Sequence, residues 1–259
     1  MIVQYILLML LVPVAVFTLA YVIARLTGKV TFLDAAWGVG FALIAWIGYF
    51  AYSPRELPNL LLALAVSLWG LRLAWYVVGR IAKTGEDKRY QEILKGYGEN
   101  AQAKAFLRLF MLQAVLQYIV SAAILRMNTI DPKPVGAAAW VGLFIFAVGF
   151  VLEVVADAQL AAFKRDPNNK GKILQSGLWK VSRHPNYFGE SLVWLGMAVM
   201  SLTYLWGWLA LISPAVITYL LLFVSGIPIQ EKGKDQNLAW REYATKTPRF
   251  VPFIGSKKC

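Results

Sequence analysis

The stretch YFGESLVWLGMAVMSLTYLWGWLALISPAVITYLLLFVSGIPI, from Tyr187 to Ile229, carries a single charge, Glu190. As one helix it would be about 65 Å long at 1.5 Å per residue, against a bilayer core of about 30 Å. The run must therefore turn back on itself, and Thr203 to Gly207 is the expected hairpin. Its halves, Tyr187–Leu202 and Leu205–Ile227, each read as a membrane span. Five further apolar stretches precede them, at roughly Ile2–Val22, Thr31–Tyr52, Leu57–Val78, Phe106–Leu125 and Val135–Val155. The expected fold is all-α, a polytopic membrane protein of about seven transmembrane helices.

Composition agrees. The chain has 259 residues, of which 59% are hydrophobic and 15% charged. Soluble domains carry about 25% charged residues. No polar stretch is long enough to enclose a second core, so residues 1–259 are expected to form a single integral membrane domain. The N-terminus has no basic stretch ahead of its apolar run and reads as a retained first span. Cys259 is the only cysteine, which excludes an intramolecular disulfide and speaks against a thiol-ligated metal.

The net charge of +12 has a membrane explanation rather than a nucleic-acid one. With seven spans the loops alternate between two sides. One side collects 21 of the 26 Lys and Arg residues and the other three, with Arg72 and Arg108 inside spans. The positive-inside rule then places the N-terminus outside and the C-terminal tail in the cytoplasm.

Ionisable groups inside spans are costly and usually mark function. Here they are Asp34, Arg72, Arg108, Glu153 with Asp157, and Glu190. In the orientation above, all lie toward the cytoplasmic ends of their helices. Glu153 and Asp157 are four apart and share a helix face, as do Asn186 and Glu190. The expectation is a polar pocket open to the cytoplasm.

The most specific segment runs from Lys172 through Gly177-Leu-Trp179 to Arg183-His184-Pro185-Asn186-Tyr187-Phe-Gly-Glu190. Gly177 allows a turn close to a ligand. Pro185 suits the first turn of a helix. Free N–H groups, a positive dipole end and adjacent Lys and Arg make a natural site for phosphates. His184 is the only histidine and has no partner set that would make it a metal ligand.

This segment resembles the C-terminal domain of the steroid 5α-reductase family, and the whole chain resembles its bacterial branch described as DUF1295. The resemblance extends to Phe32-Leu-Asp34-Ala-Ala-Trp37-Gly38, Trp69-Gly-Leu-Arg72-Leu and Gly85-Glu-Asp-Lys-Arg89-Tyr90. It includes the tail, with Gly226-Ile-Pro-Ile-Gln-Glu231, Trp240-Arg241-Glu-Tyr243 and Phe250-Val-Pro-Phe253. The family's C-terminal signature covers about residues 135–259.

The resemblance implies a membrane reductase that binds NADPH from the cytoplasmic side, in a bacterial inner membrane. Asp157, Lys164 and Lys172 match positions that hold the cofactor, with lysines standing where the family has arginines. Asn186 and Glu190 match residues at the nicotinamide end. Arg72, Arg89, Trp179, Arg183, His184, Tyr187, Glu231 and Arg241, within the matching motifs, complete the expected cofactor set. The family's cofactor-contacting His and Tyr of the tail fall near Lys232 and Gln236. Steroid reductases polarise the enone with a Gln-Glu pair in the second helix and a Tyr in the third. Here the second span offers only Asp34 as a carboxylate, and the third-span position is Trp69. Asp34 and Tyr90 stand as the expected catalytic substitutes.

The implied reaction is reduction of a conjugated C=C bond in a lipophilic substrate that enters from the bilayer, with membrane lipids as neighbours. Two other readings stay open. Arg183-His184-Pro185 with Tyr187 also fits the S-adenosylmethionine-dependent isoprenylcysteine and phospholipid methyltransferases. A small transporter would account for charge within spans, but not for its collection at one end.

Overall fold

The structure is a computed structural model and describes residues 2–128, 136–202 and 206–254. Among these residues, six helices are long and apolar enough to cross a membrane. They are Gln4–Thr27, Phe32–Ala51, Leu57–Lys83, Ala101–Val120, Ala137–Arg165 and Gly207–Glu231. The protein is an all-α polytopic membrane protein. The span expected at Tyr187–Leu202 is present as the helix Pro185–Met200, 16 residues long. That is about 24 Å, short of a hydrocarbon core of about 30 Å. Of the expected hairpin, residues 203–205 lie outside the described residues, and Gly207–Leu211 forms a 3₁₀ turn.

The chain divides into two compact units. The first comprises Met1–Trp140 and Met200–Ser213. It contains α1 (Ile2–Thr27), α2 (Phe32–Ala51) and α3 (Leu57–Thr84). A short helix α4 (Lys88–Tyr97) follows, started by Asp87, whose side chain accepts from the Arg89 N–H at 2.9 Å. Next, α5 (Ala101–Ala105) continues through a π-helical turn, Phe106–Met111, into α6 (Leu112–Val120) and then α7 (Ala122–Asn128). Phe17, Leu33, Tyr90 and Phe110 are buried together at its core. Leu19 and Leu107 are more than 60% exposed, which suits helix faces whose solvent is lipid.

Polar groups inside this unit are paired across helices, as a bilayer interior requires. Two glutamines one turn apart on α6 grip a single residue of α2. Gln113 accepts from the Trp37 indole at 3.1 Å, and Gln117 donates to the Trp37 carbonyl at 2.9 Å. Asn59 on α3 donates to the Met127 carbonyl at 2.7 Å. The two bonds to Trp37 fix the start of α2, where Asp34 lies.

The second unit comprises Val141–Val199 and Pro214–Cys259. Its long helix is α8 (Ala137–Arg165), which it shares from Val141 onward. It is followed by α9 (Pro185–Met200), most of α10 (Ile212–Tyr219), α11 (Ile227–Glu231) and α12 (Leu238–Lys246). The helices α8 and α9 meet backbone to backbone. A Cβ on Gly189 would lie 2.7 Å from the Glu153 nitrogen and 2.8 Å from the Gly149 carbonyl oxygen. Small residues at such a crossing let dispersion contacts hold the helices without a hydrophobic drive. The register set there brings the start of α9 beside the polar end of α8.

Candidate functional site

Residues 177–184 form the loop that leads into α9. Gly177 takes φ +59°, and a Cβ there would lie 2.5 Å from the Gln159 side chain of α8. The close approach lets Gln159 accept from the Leu178 N–H at 3.0 Å. Trp179 is buried, and its indole donates to the Ala156 carbonyl at 3.0 Å. The loop is thereby pinned to α8 on one side.

The C-terminal tail pins it on the other, residue by residue. The Tyr243 hydroxyl donates to the Trp179 carbonyl at 2.5 Å. Thr247 donates to the Lys180 carbonyl at 3.5 Å, and the Phe253 N–H to the Val181 carbonyl at 3.2 Å. The Ser182 hydroxyl donates to the Phe250 carbonyl at 2.7 Å, and the Arg183 N–H to the Pro248 carbonyl at 2.8 Å. Six successive loop residues are held once His184 is added. Its Nε2 lies 2.9 Å from Glu231 Oε1, and its ring stacks on Tyr187 at 5.5 Å.

Glu231 is the hub. Arg183 Nη1 reaches the same oxygen at 2.9 Å, and Arg249 Nε reaches the other at 3.5 Å. The Lys234 ammonium sits 4.3 Å from the Trp240 ring centroid, with the Arg183 guanidinium 5.9 Å from the same ring. Burial pushes the His184 pKa down, against the pull of Glu231. A neutral His184 facing a carboxylate carries its proton on Nε2. Burial likewise lowers the Lys234 pKa, and the positive charges of Lys164 and Arg183 add to it. Three cations, Arg183, Lys234 and Arg249, thus surround one carboxylate.

Deeper on α9, the Asn186 amide donates to Asp157 of α8 at 3.2 Å. Two buried atoms here have no hydrogen-bond partner among the described residues, Arg183 Nε and Asn186 Oδ1. The remaining expected residues take varied positions. Glu190 is half-buried one turn beyond Asn186. Lys164 and Lys172 are exposed. Arg241 is exposed, and its Nε donates to the Asp235 carbonyl. The Glu231 cluster also holds Arg249 and Lys234, which the sequence motifs did not single out.

The first unit holds a second polar cluster, around Asp34. Tyr90 is 4% exposed, and its hydroxyl donates to Asp34 Oδ1. Arg80 of α3 donates to Asp34 Oδ2 at 3.1 Å, and Arg89 of α4 at 3.3 Å. The Arg89 guanidinium lies 4.4 Å from the Tyr90 ring centroid. Burial, with the Asp34 charge next, pushes the Tyr90 pKa well up, so its proton is held firmly. The two expected catalytic residues are in direct contact, with Asp34 accepting from all three neighbours. Arg80 was not anticipated. Arg72 is half-buried on α3. Nearby, Thr31 donates to Glu86 at 2.7 Å and accepts from the Asp87 N–H at 3.1 Å, tying the approach to α4 to the start of α2.

The family model described as protein of unknown function (DUF1295) matches residues 20–247. The chain belongs to the DUF1295 family. The chain is similar to an uncharacterized protein of Schizosaccharomyces pombe, 26% identical over 250 residues, covering 85% of this chain and 70% of the relative. Other curated relatives match over shorter stretches. Steroid 5-alpha-reductase DET2 of Gossypium hirsutum is 42% identical over 67 residues, 26% of this chain and 24% of the relative. A probable O-methyltransferase of Ustilaginoidea virens is 43% identical over 60 residues, 23% of this chain and 21% of the relative. The chain thus covers about a quarter of the length of each. No solved structure matches this DUF1295 chain.

Proposed function

We propose that this protein is a membrane-embedded, NADPH-dependent reductase of a conjugated C=C bond in a lipophilic, steroid-like substrate. One observation carries the choice of cofactor: the surplus of positive charge around Glu231. Arg183 and Arg249 contact that carboxylate and Lys234 lies close by. Such a site favours a polyanionic dinucleotide, because several phosphate charges would relieve the mutual repulsion of the cations. The similarity to a steroid 5-alpha-reductase supports the reaction class.

In this reading Arg183, Lys234 and Arg249 hold phosphate groups, with Lys164 adding to the field. Asn186, oriented by Asp157, offers its buried carbonyl oxygen to the carboxamide of the nicotinamide. Glu190 lines the same end. Bound there, NADPH would supply the hydride. Asp34 and Tyr90 of the first unit are retained as candidate catalytic residues, with Tyr90 the proton-bearing member of that pair and its hydroxyl oriented by Asp34. The basic loops support a site that faces the cytoplasm.

A second reading, methyl transfer from S-adenosylmethionine, is favoured by the similarity to a probable O-methyltransferase. Charge argues against it, since S-adenosylmethionine carries a net positive charge and would add to the repulsion at Arg183 and Lys234. Thermal unfolding of the detergent-solubilised protein with NADPH, NADH and S-adenosylmethionine separates the readings. The expected result is stabilisation by NADPH that is lost in Asn186→Ala. Stabilisation by S-adenosylmethionine alone would overturn the reductase reading.

A further inference from the structure

The helix α8 serves as a depth gauge for the second unit. From Ala137 to Ala156 it runs 20 residues with one charge, Glu153. That length is about 30 Å, the thickness of the hydrocarbon core. From Asp157 onward nine residues carry Asp157, Gln159, Lys164 and Arg165, three of them charged. The level of Ala156 and Asp157 is therefore where hydrocarbon gives way to headgroups.

The 177–184 loop and the start of α9 are fastened at that level, through Trp179 to the Ala156 carbonyl at 3.0 Å and Asn186 to Asp157 at 3.2 Å. The tail end is fastened to the loop in turn. Phe253 donates to the Val181 carbonyl at 3.2 Å, and the Phe250 carbonyl accepts from Ser182 at 2.7 Å. The Phe250 ring meets Phe188 edge-on at 5.6 Å. Phe253 and Ile254 nonetheless stand out from the protein, 78% and 69% exposed. Phe253 takes φ +65°, a conformation that bulky residues rarely adopt. Two adjacent large apolar side chains are thus held outward on a fixed backbone, at interfacial depth. In the sequence two further cations, Lys257 and Lys258, follow them.

We propose that Phe253 and Ile254 form an interfacial anchor, inserted at the headgroup–acyl boundary beside α8. Apolar side chains flanked by Lys and Arg are the chemistry that binds this layer. The anchor clamps the tail, and with it Glu231, Tyr243 and Arg249, over the loop that carries Arg183 and His184. The inference rests on α8 crossing the bilayer and is independent of the identity of the cofactor.

The test uses the full chain with Cys259→Ser, which leaves no native cysteine. Ile254→Cys, Phe253→Cys and, as a control, Lys246→Cys are each labelled with an environment-sensitive nitrobenzoxadiazole dye. The proteins are reconstituted into vesicles of phosphatidylcholine with phosphatidylglycerol. Aqueous iodide is one quencher. Doxyl-labelled phosphatidylcholine is the other, with the spin label near the glycerol or near the chain end. The labels at 253 and 254 are expected to emit to the blue of the control and to resist iodide. They should lose most of their emission to the shallow doxyl group and less to the deep one. Both side chains are exposed, so neither substitution opens a cavity, and an unfolding midpoint equal to that of the parent is expected. Iodide quenching as strong as at Lys246→Cys would overturn the proposal. So would protection from both quenchers, which would mean that protein, and not lipid, covers the two residues.

Discussion

Replacing Glu231 by Gln removes one charge and keeps the shape, and the structure says what that costs. Glu231 Oε1 is shared by Arg183 and His184, both at 2.9 Å, and Oε2 faces Arg249 at 3.5 Å. The side chains of Glu231, Arg183 and His184 are 17%, 13% and 5% exposed, whereas Arg249 is 44% exposed. The Arg249 pair is long and wet and contributes little. The enclosed Arg183 contact is a charge-assisted hydrogen bond worth about 1.5–3 kcal/mol. Breaking a fully buried pair costs about 3–5 kcal/mol, but this hub keeps some contact with water. The glutamine oxygen retains one of the two bonds at Oε1 in weaker, neutral form. The net expectation is a loss of about 2–3 kcal/mol for Glu231→Gln. The assay is reversible unfolding in mixed micelles titrated with sodium dodecyl sulfate, followed by tryptophan emission. NADPH titration is a second readout. On charge alone, removing a carboxylate would tighten anion binding; loss of Arg183 orientation would weaken it. Weaker binding is expected, because the Arg183 guanidinium loses its strongest anchor. An unfolding free energy within about 0.5 kcal/mol of the parent, the scale of ordinary surface substitutions, would refute the idea that Glu231 fastens the tail to the loop.

Three further outcomes follow from the same geometry. The folded pKa of His184 lies below its ordinary value of 6.5, so as pH falls the unfolded chain takes up the proton first. Stability from this group is full above pH 6.5 and drains away as pH drops through the folded pKa; His184→Gln should flatten that limb of a stability–pH curve. Tyr243→Phe leaves the buried Trp179 carbonyl without the donor it has at 2.5 Å, and should cost about 1–3 kcal/mol by the same micelle titration. Gly189→Ala puts a methyl group 2.7 Å from the Glu153 nitrogen, so α8 and α9 must part. A loss of about 1–3 kcal/mol is expected, with a lowered unfolding midpoint as the check.

The helices were legible because a bilayer sets their length and lipid sets their composition. Their ends were not. A span read at Val135–Val155 is a helix that continues to Arg165, and one read to Val78 continues to Thr84. Hydropathy marks where lipid stops, but a helix stops for local reasons. Asp166 before Pro167 ends α8, and Gly85 at φ +75° ends α3. The difference matters for chemistry, since Arg80 lies in the added part of α3 and reaches both Asp34 and Asp87 from there.

The site was legible in the same uneven way. The residues from Gly177 to Glu190 stood out as a local pattern, because one turn and one helix start place them. The Glu231 hub was visible only as a tail motif, since its partners come from 183–184 and 249, and no periodicity links those positions. Arg241 shows the limit: it shares its motif with Trp240 and Tyr243, yet those two are buried while it is exposed. On a helix as short as α12, motif membership says little about which way a side chain faces. Asp34 and Tyr90 carry the argument one step further. The sequence offers two acids for one proton-donor role, whereas the structure couples them and adds two guanidinium groups to the carboxylate side. With Arg80, Arg89 and Tyr90 all donating to Asp34, the carboxylate is the shared acceptor of the cluster and Tyr90 its hydroxyl donor. The roles divide because three donors converge on one acceptor, a relation that exists only once α2, α3 and α4 have met.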